Sequence, residues 1–146
     1  MTNVVTLVAV LACALFSGAA IYINLVEHPA RLSCGTEIAA RQWAPRYKRA
    51  TAMQASLAIV AGLSGLLRWL QSGDTLWLSG AVAILAVVPV TLFVIFPTNK
   101  RLLEAGRDLA SNETRALLVT WGRLHAIRSG LSLIGATLFI LAATHE

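Results

Sequence analysis

The chain has 146 residues, 57% hydrophobic and 13% charged, with a net charge of +5 and a mean hydropathy of +0.70. A soluble domain carries about 25% charged residues, so this composition excludes an ordinary water-soluble surface and points to one integral membrane domain over residues 1–146. The basic residues flank apolar runs, which excludes nucleic acid and leaves membrane lipids as the charge's partner. Cys13 and Cys34 lack zinc spacing and give no disulfide framework.

A membrane span needs roughly 20 apolar residues. The first runs over about 4–26. No basic segment precedes it and its apolar run is too long for a signal core, so it reads as a retained span. In the polar loop at 27–50, Ser33 or Thr36 is expected to cap a short helix from Glu37, and Pro45 to kink or restart it. The second span covers about 51–70. QSGD then makes a tight turn in which Asp74 is placed to cap the third span, about 76–96. Pro89 is expected to kink that span and Pro97 to end it.

In the loop at 97–124, TNKRLLEAGRDL reads as a short amphipathic helix with Leu102 and Leu109 on one face. SNETRALLVTWGRLH reads as a helix that begins near Ser111 or Asn112 and enters the fourth span, about 125–144. Small residues at 18–20 and 62–65, with Gly130 and Gly135, suit close helix contacts. The expected fold is therefore all-α: a four-helix transmembrane bundle with two structured, partly helical loops on one membrane side. Every Lys and Arg except Arg68 falls on that side. The long loops are then cytoplasmic and both termini outside, in the inner membrane if the chain is bacterial. Four spans are compatible with a homo-oligomer.

Helical spacing sorts the polar residues of that side into stripes. Asn24, His28 and Arg31 share one face of the first helix, with Glu27 beside them. Trp43, Tyr47 and Gln54 share a face entering the second span. Trp121, His125 and Arg128 share a face entering the fourth. Thr91, Thr98 and Asn99 lie at the same end of the third. Arg46, Lys48, Arg49, Lys100 and Arg101 read as topology signals, and Arg68 as a residue that snorkels to the far interface.

Ionisable residues in spans face the bundle interior or a wet cavity. His28 and His125 each have an arginine three residues further on, which favours the neutral ring, with Glu27 opposing this at His28. A neutral imidazole beside a fixed cation suits proton removal and stabilisation of the resulting anion. Two other readings fit the same residues. One is a metal or haem bound by His28 and His125, with Glu27 as a third metal ligand. The other is a non-catalytic carrier or scaffold with the same polar cavity.

Four pieces in order carry a resemblance: NLVEHPAR at 24–31, the pattern of Trp43, Tyr47, Arg49 and Gln54, FPTNKRL at 96–102, and WGRLHAIR at 121–128. With these the chain resembles the anthrone oxygenase-like family of small four-span integral membrane proteins. The resemblance implies oxidation of an enolisable, lipophilic aromatic such as an anthrone, with molecular oxygen as co-substrate and no flavin, haem or metal. In that setting His28 or His125 is the candidate base, and Arg31 and Arg128 hold the anion. Asn24, Glu27, Gln54 and Asn99 contact or orient the substrate, and Trp43, Tyr47 and Trp121 stack on it.

Overall fold

A computed structural model of the chain describes residues 4–145; the ends of the expected 1–146 domain, 1–3 and 146, lie outside the described residues. Four helices carry the fold: α1 (Val4–Ser33), α2 (Thr36–Ser72), α3 (Thr75–Leu102) and α4 (Asn112–Thr144). Each is long and apolar enough to cross a membrane. No strand occurs among the described residues.

Local chemistry sets the helix ends. Gly73 closes α2 at φ 73°, a conformation glycine adopts without a Cβ penalty. Asp74 then caps α3, its carboxylate accepting the Leu76 N–H at 2.9 Å. Ser111 caps α4 by accepting the Thr114 N–H at 3.1 Å, and the Thr114 hydroxyl donates to the Asp108 carbonyl at 2.7 Å. Both caps follow the sequence expectation. Between α1 and α2 the expected caps are not used: Gly35 occupies that position with no side-chain bond, and the Ser33 hydroxyl turns back to the Ala30 carbonyl at 2.7 Å.

The expected loop helices exist as extensions of the long helices. α2 begins at Thr36 and passes through Pro45 without interruption. Proline tolerates this at the expense of one backbone bond. α3 continues past Pro97 to Leu102, but residues 103–111 are turns and bends, so the short helix ends earlier than its apolar pattern suggests. Leu102 and Leu109 nonetheless reach one cluster, with Leu117 and Leu118 of α4. Arg101 pairs with Glu113 at 2.8 Å, and Arg107 with Glu104 at 2.7 Å.

Among the described residues two π-helical segments interrupt the α pattern, Ile23–Glu27 in α1 and Val90–Ile95 in α3. Each ends just before an X-Pro pair, His28–Pro29 and Phe96–Pro97. The residue before each proline bonds five positions back, His28 to the Ile23 carbonyl and Phe96 to the Thr91 carbonyl. A proline lacks the N–H that would continue the ladder, and a widened turn absorbs the mismatch.

The helices form a ring in which α1 packs on α2 and α4, and α3 packs on α2 and α4. Paired contacts fix the directions: Asn24–His125 with Cys13–Ser132, Gly80–Phe139 with Ile84–Gly135, and Gln54–Arg128 with Gly65–Phe139 make α1 and α3 run one way and α2 and α4 the other. One half of the interior is apolar, around Cys13, Phe16, Trp77, Ile84 and Phe139. The other half is built on Trp43, Trp121, Leu118 and Ile95. The outer faces are apolar too, with Leu25 and Phe93 73% and 79% exposed.

Close helix contact falls on Gly62, Gly65 and Gly135 among the expected glycines, and also on Gly80. Gly62 meets Leu85, Gly65 and Gly80 meet Phe139, and Gly135 meets the Gly80 carbonyl; Gly18 and Gly130 face open space. A Cβ at Gly80 would lie 2.6 Å from the Phe139 ring and 3.3 Å from the Gly135 carbonyl. Gly80→Val is therefore expected to destabilise the protein by about 1–3 kcal/mol. A lowered thermal midpoint in detergent, partly restored by Phe139→Leu, checks this.

Candidate functional site

Asn24, at the start of the α1 π-segment, organises the α1–α4 contact. Its amide Nδ2 donates to the Gly122 carbonyl at 2.8 Å. A carbonyl only accepts, so Oδ1 is the end that faces His125 Nδ1 at 2.7 Å and the Ser129 hydroxyl at 2.6 Å. An amide oxygen also only accepts, so His125 Nδ1 carries the proton. In the neutral ring the lone pair then sits on Nε2. His125 is 1% exposed and lines a cavity.

His28 is held differently. Its Nε2 lies 2.9 Å from the Leu118 carbonyl and must donate there. Nδ1 is buried without a partner. The ring tilts against Trp121, with centroids 5.1 Å apart, and it fills the space left by Gly122, where a Cβ would lie 2.6 Å from His28 Cδ2. His28 thus stands behind Trp121 and does not line the cavity.

The cavity measures about 330 Å³, at the lower end of the range for small-molecule sites. α1 contributes Ile23, Glu27 and Arg31. α2 contributes Trp43, Arg46, Tyr47, Arg49, Ala50, Thr51 and Gln54. α4 contributes Trp121, His125 and Arg128. Trp43 and Tyr47 are stacked 4.9 Å apart with planes 4° from parallel, and Trp121 meets Trp43 edge-on at 84°. These rings give the cavity flat apolar walls.

Its electrostatics are cationic. Four of the lining residues are arginines and one is acidic. That acid, Glu27, is engaged by Arg31 and by Arg46, the latter at 2.7 Å. Arg128 is 8% exposed; its hydrogen-bond partner is the neutral Gln54 Oε1 at 2.7 Å, and its guanidinium lies over the Phe16 ring at 5.4 Å. Its Nε is buried without a partner. A buried cation with neutral neighbours carries a desolvation penalty of several kcal/mol, and an anion in the cavity would relieve it.

Eight sequence-predicted site residues meet here: Glu27, Arg31, Trp43, Tyr47, Gln54, Trp121, His125 and Arg128. Asn24 and His28 stand behind the cavity wall. Asn99 is buried elsewhere on α3, with neither amide atom bonded. Arg46 and Arg49, which read from the sequence as topology signals, with Arg49 also in the resemblance pattern, both line the cavity; Arg46 follows Trp43 by three residues and shares its side of α2. Sequence reading also passed over Ser129, one turn beyond His125 on the same face. Among the described residues, no group of three or more His, Cys, Asp or Glu could hold a metal ion. Glu27 is taken by two arginines, and the His28 nitrogen that bonds Leu118 is a donor.

The arrangement offers an imidazole nitrogen able to accept a proton, a desolvated guanidinium, and aromatic walls for a flat ligand. The family model for anthrone oxygenase matches residues 43–138, a stretch that holds the α2 and α4 walls. The anthrone oxygenase nsrD of Aspergillus novofumigatus is 33% identical over 115 residues, covering 73% of this chain and 71% of that protein. An anthrone oxygenase of Claviceps purpurea is 30% identical over 147 aligned positions, covering 90% of this chain and 84% of the relative. The anthrone oxygenase tpcL of Aspergillus fumigatus is 41% identical over 61 residues, 40% of this chain and 38% of that protein. No solved structure matches the chain.

Proposed function

The chain belongs to the anthrone oxygenase family, and from that premise we propose that it is a membrane-embedded enzyme oxidising an anthrone-like substrate to the quinone, with His125 as base. The observation that carries this reading is one cavity presenting both His125 and the buried, anion-less Arg128 between aromatic walls. Apolar outer faces on four long helices support embedding. The concentration of Lys and Arg at the site's end supports a cytoplasmic position for it, with the termini opposite.

The chemistry balances without an organic cofactor: anthrone plus dioxygen gives anthraquinone plus water. His125 Nε2 removes one proton from the methylene carbon opposite the ketone. The electron pair of that C–H bond becomes an aromatic enolate, whose oxygen is stabilised by the cationic wall. The enolate gives one electron to dioxygen, and the resulting carbon radical and superoxide combine, forming a C–O bond. The imidazolium returns its proton to make the hydroperoxide. Removal of the second methylene proton forms the second carbonyl as the O–O bond breaks. The departing hydroxide takes that proton and leaves as water. Asn24 and Ser129 hold the ring of His125 so that Nε2, and not Nδ1, is the accepting atom.

The test uses purified protein in detergent with an anthrone in air-saturated buffer, chelator present and no cofactor added. The expected outcome is quinone formation with one dioxygen consumed per anthrone. Turnover no faster than buffer alone, or turnover only with added flavin or metal, would overturn the proposal.

A further inference from the structure

The cavity already described accounts for the aromatic substrate and leaves the route of dioxygen open. A second pocket of about 140 Å³ lies alongside it, between α2 and α3. Its wall is mostly apolar, with Phe16, Ala58 and Val87 buried, and its polar members are Thr51, Gln54, Thr91 and Arg128. Its outer rim, Ala55, Val88 and Leu92, is exposed on the apolar flank of the bundle. Three residues line both pockets: Thr51, Gln54 and Arg128. The partition between them is therefore the Gln54–Arg128 hydrogen bond.

Size and polarity limit what the second pocket holds. An apolar cavity of about 150 Å³ stays dry and admits molecules of the size of benzene or xenon. A fused tricyclic ketone is far larger than benzene, and the 330 Å³ cavity with its aromatic walls suits that ligand better. Dioxygen is small and apolar, and it is more soluble in hydrocarbon than in water. A pocket that opens on the lipid-facing flank and ends at a guanidinium matches it. Arg128 borders both compartments, so a negative charge developing on oxygen at the partition meets a fixed cation. The α3 π-segment Val90–Ile95 carries Leu92 and Thr91 on this rim, and π-turns recur at functional positions.

We propose that the pocket between α2 and α3 is the dioxygen site of this enzyme, filled from the bilayer and separated from the aromatic cavity by the Gln54–Arg128 pair. This rests on the oxygenase reading above. The test fills the pocket in two ways: Ala58→Val from inside and Ala55→Phe from the exposed rim. Initial rates are measured with dioxygen varied at saturating anthrone, and with anthrone varied at saturating dioxygen. The KM for dioxygen is expected to rise about fivefold or more in both variants, while kcat at saturating dioxygen and the KM for anthrone stay unchanged. An unchanged KM for dioxygen in the folded variants overturns the inference while leaving the oxygenase reading intact. So does a rise confined to the KM for anthrone, which would make the pocket part of the aromatic site. A wild-type protein that turns over no anthrone overturns the oxygenase reading itself, and this inference with it.

Discussion

His125→Gln is expected to lower kcat for anthrone oxidation by about 100- to 10,000-fold, the range for removal of a positioned general base. Glutamine can keep a hydrogen bond to Asn24 Oδ1, now 2.7 Å from the imidazole, so the α1–α4 contact survives while the proton acceptor is gone. The loss should fall on kcat and kcat/KM alike, because the missing interaction is made in the transition state. His125→Ala should lose as much activity and also leave a cavity beside Trp121, whose ring centroid lies 4.9 Å away. Steady-state kinetics with thermal unfolding on the same samples separates the two contributions. Activity within about tenfold of wild type, a difference of about 1.4 kcal/mol in the barrier, would remove His125 from the role of base.

Arg128→Met carries the second large effect. The guanidinium is buried in the cavity wall, where the proposed mechanism develops enolate and peroxide charge, and losing one such donor is expected to lower kcat by about 100- to 1,000-fold. Stability should move differently. The substitution orphans Gln54 Oε1, at about 1–3 kcal/mol, but it also relieves a buried cation whose desolvation penalty is several kcal/mol. The thermal midpoint is therefore expected to stay level or rise while activity falls, as when a site holds a group in a destabilising environment for its chemistry. A variant that lost stability in step with activity would mark Arg128 as a packing residue.

These two residues were legible in the sequence because α4 is regular where they lie. Trp121, His125 and Arg128 at one-turn spacing share a face in any α-helix, and all three line the cavity. The caps Asp74 and Ser111 were legible for the same reason, since their chemistry is local. α1 was harder to read. Its π-segment Ile23–Glu27 adds a residue to the turn, so the stripe Asn24, His28, Arg31 divides. Asn24 and His28 turn to α4, while Glu27 and Arg31 reach the cavity. Simple periodicity carries no signal for that widened turn beyond the proline that follows it.

The difference between the histidines was not legible either. His-x-x-Arg occurs twice with similar flanks, but only the three-dimensional packing shows that Gly122 admits the His28 ring behind Trp121. Arg46 shows another limit. A basic residue at the membrane boundary is explained by topology alone, so its presence in the cavity wall adds nothing visible to the sequence.

His125 and His28 are assigned different roles, base and packing residue, and both can be replaced by alanine in one assay. Quinone formation by purified His28→Ala and His125→Ala, each normalised to folded protein, measures the difference directly. His28→Ala is expected to show a lower thermal midpoint, from the lost ring and its bond to Leu118, with kcat within about tenfold of wild type. His125→Ala is expected to fold and to lose at least about 100-fold. The reverse pattern, with His28→Ala inactive and His125→Ala near wild type, would contradict the account.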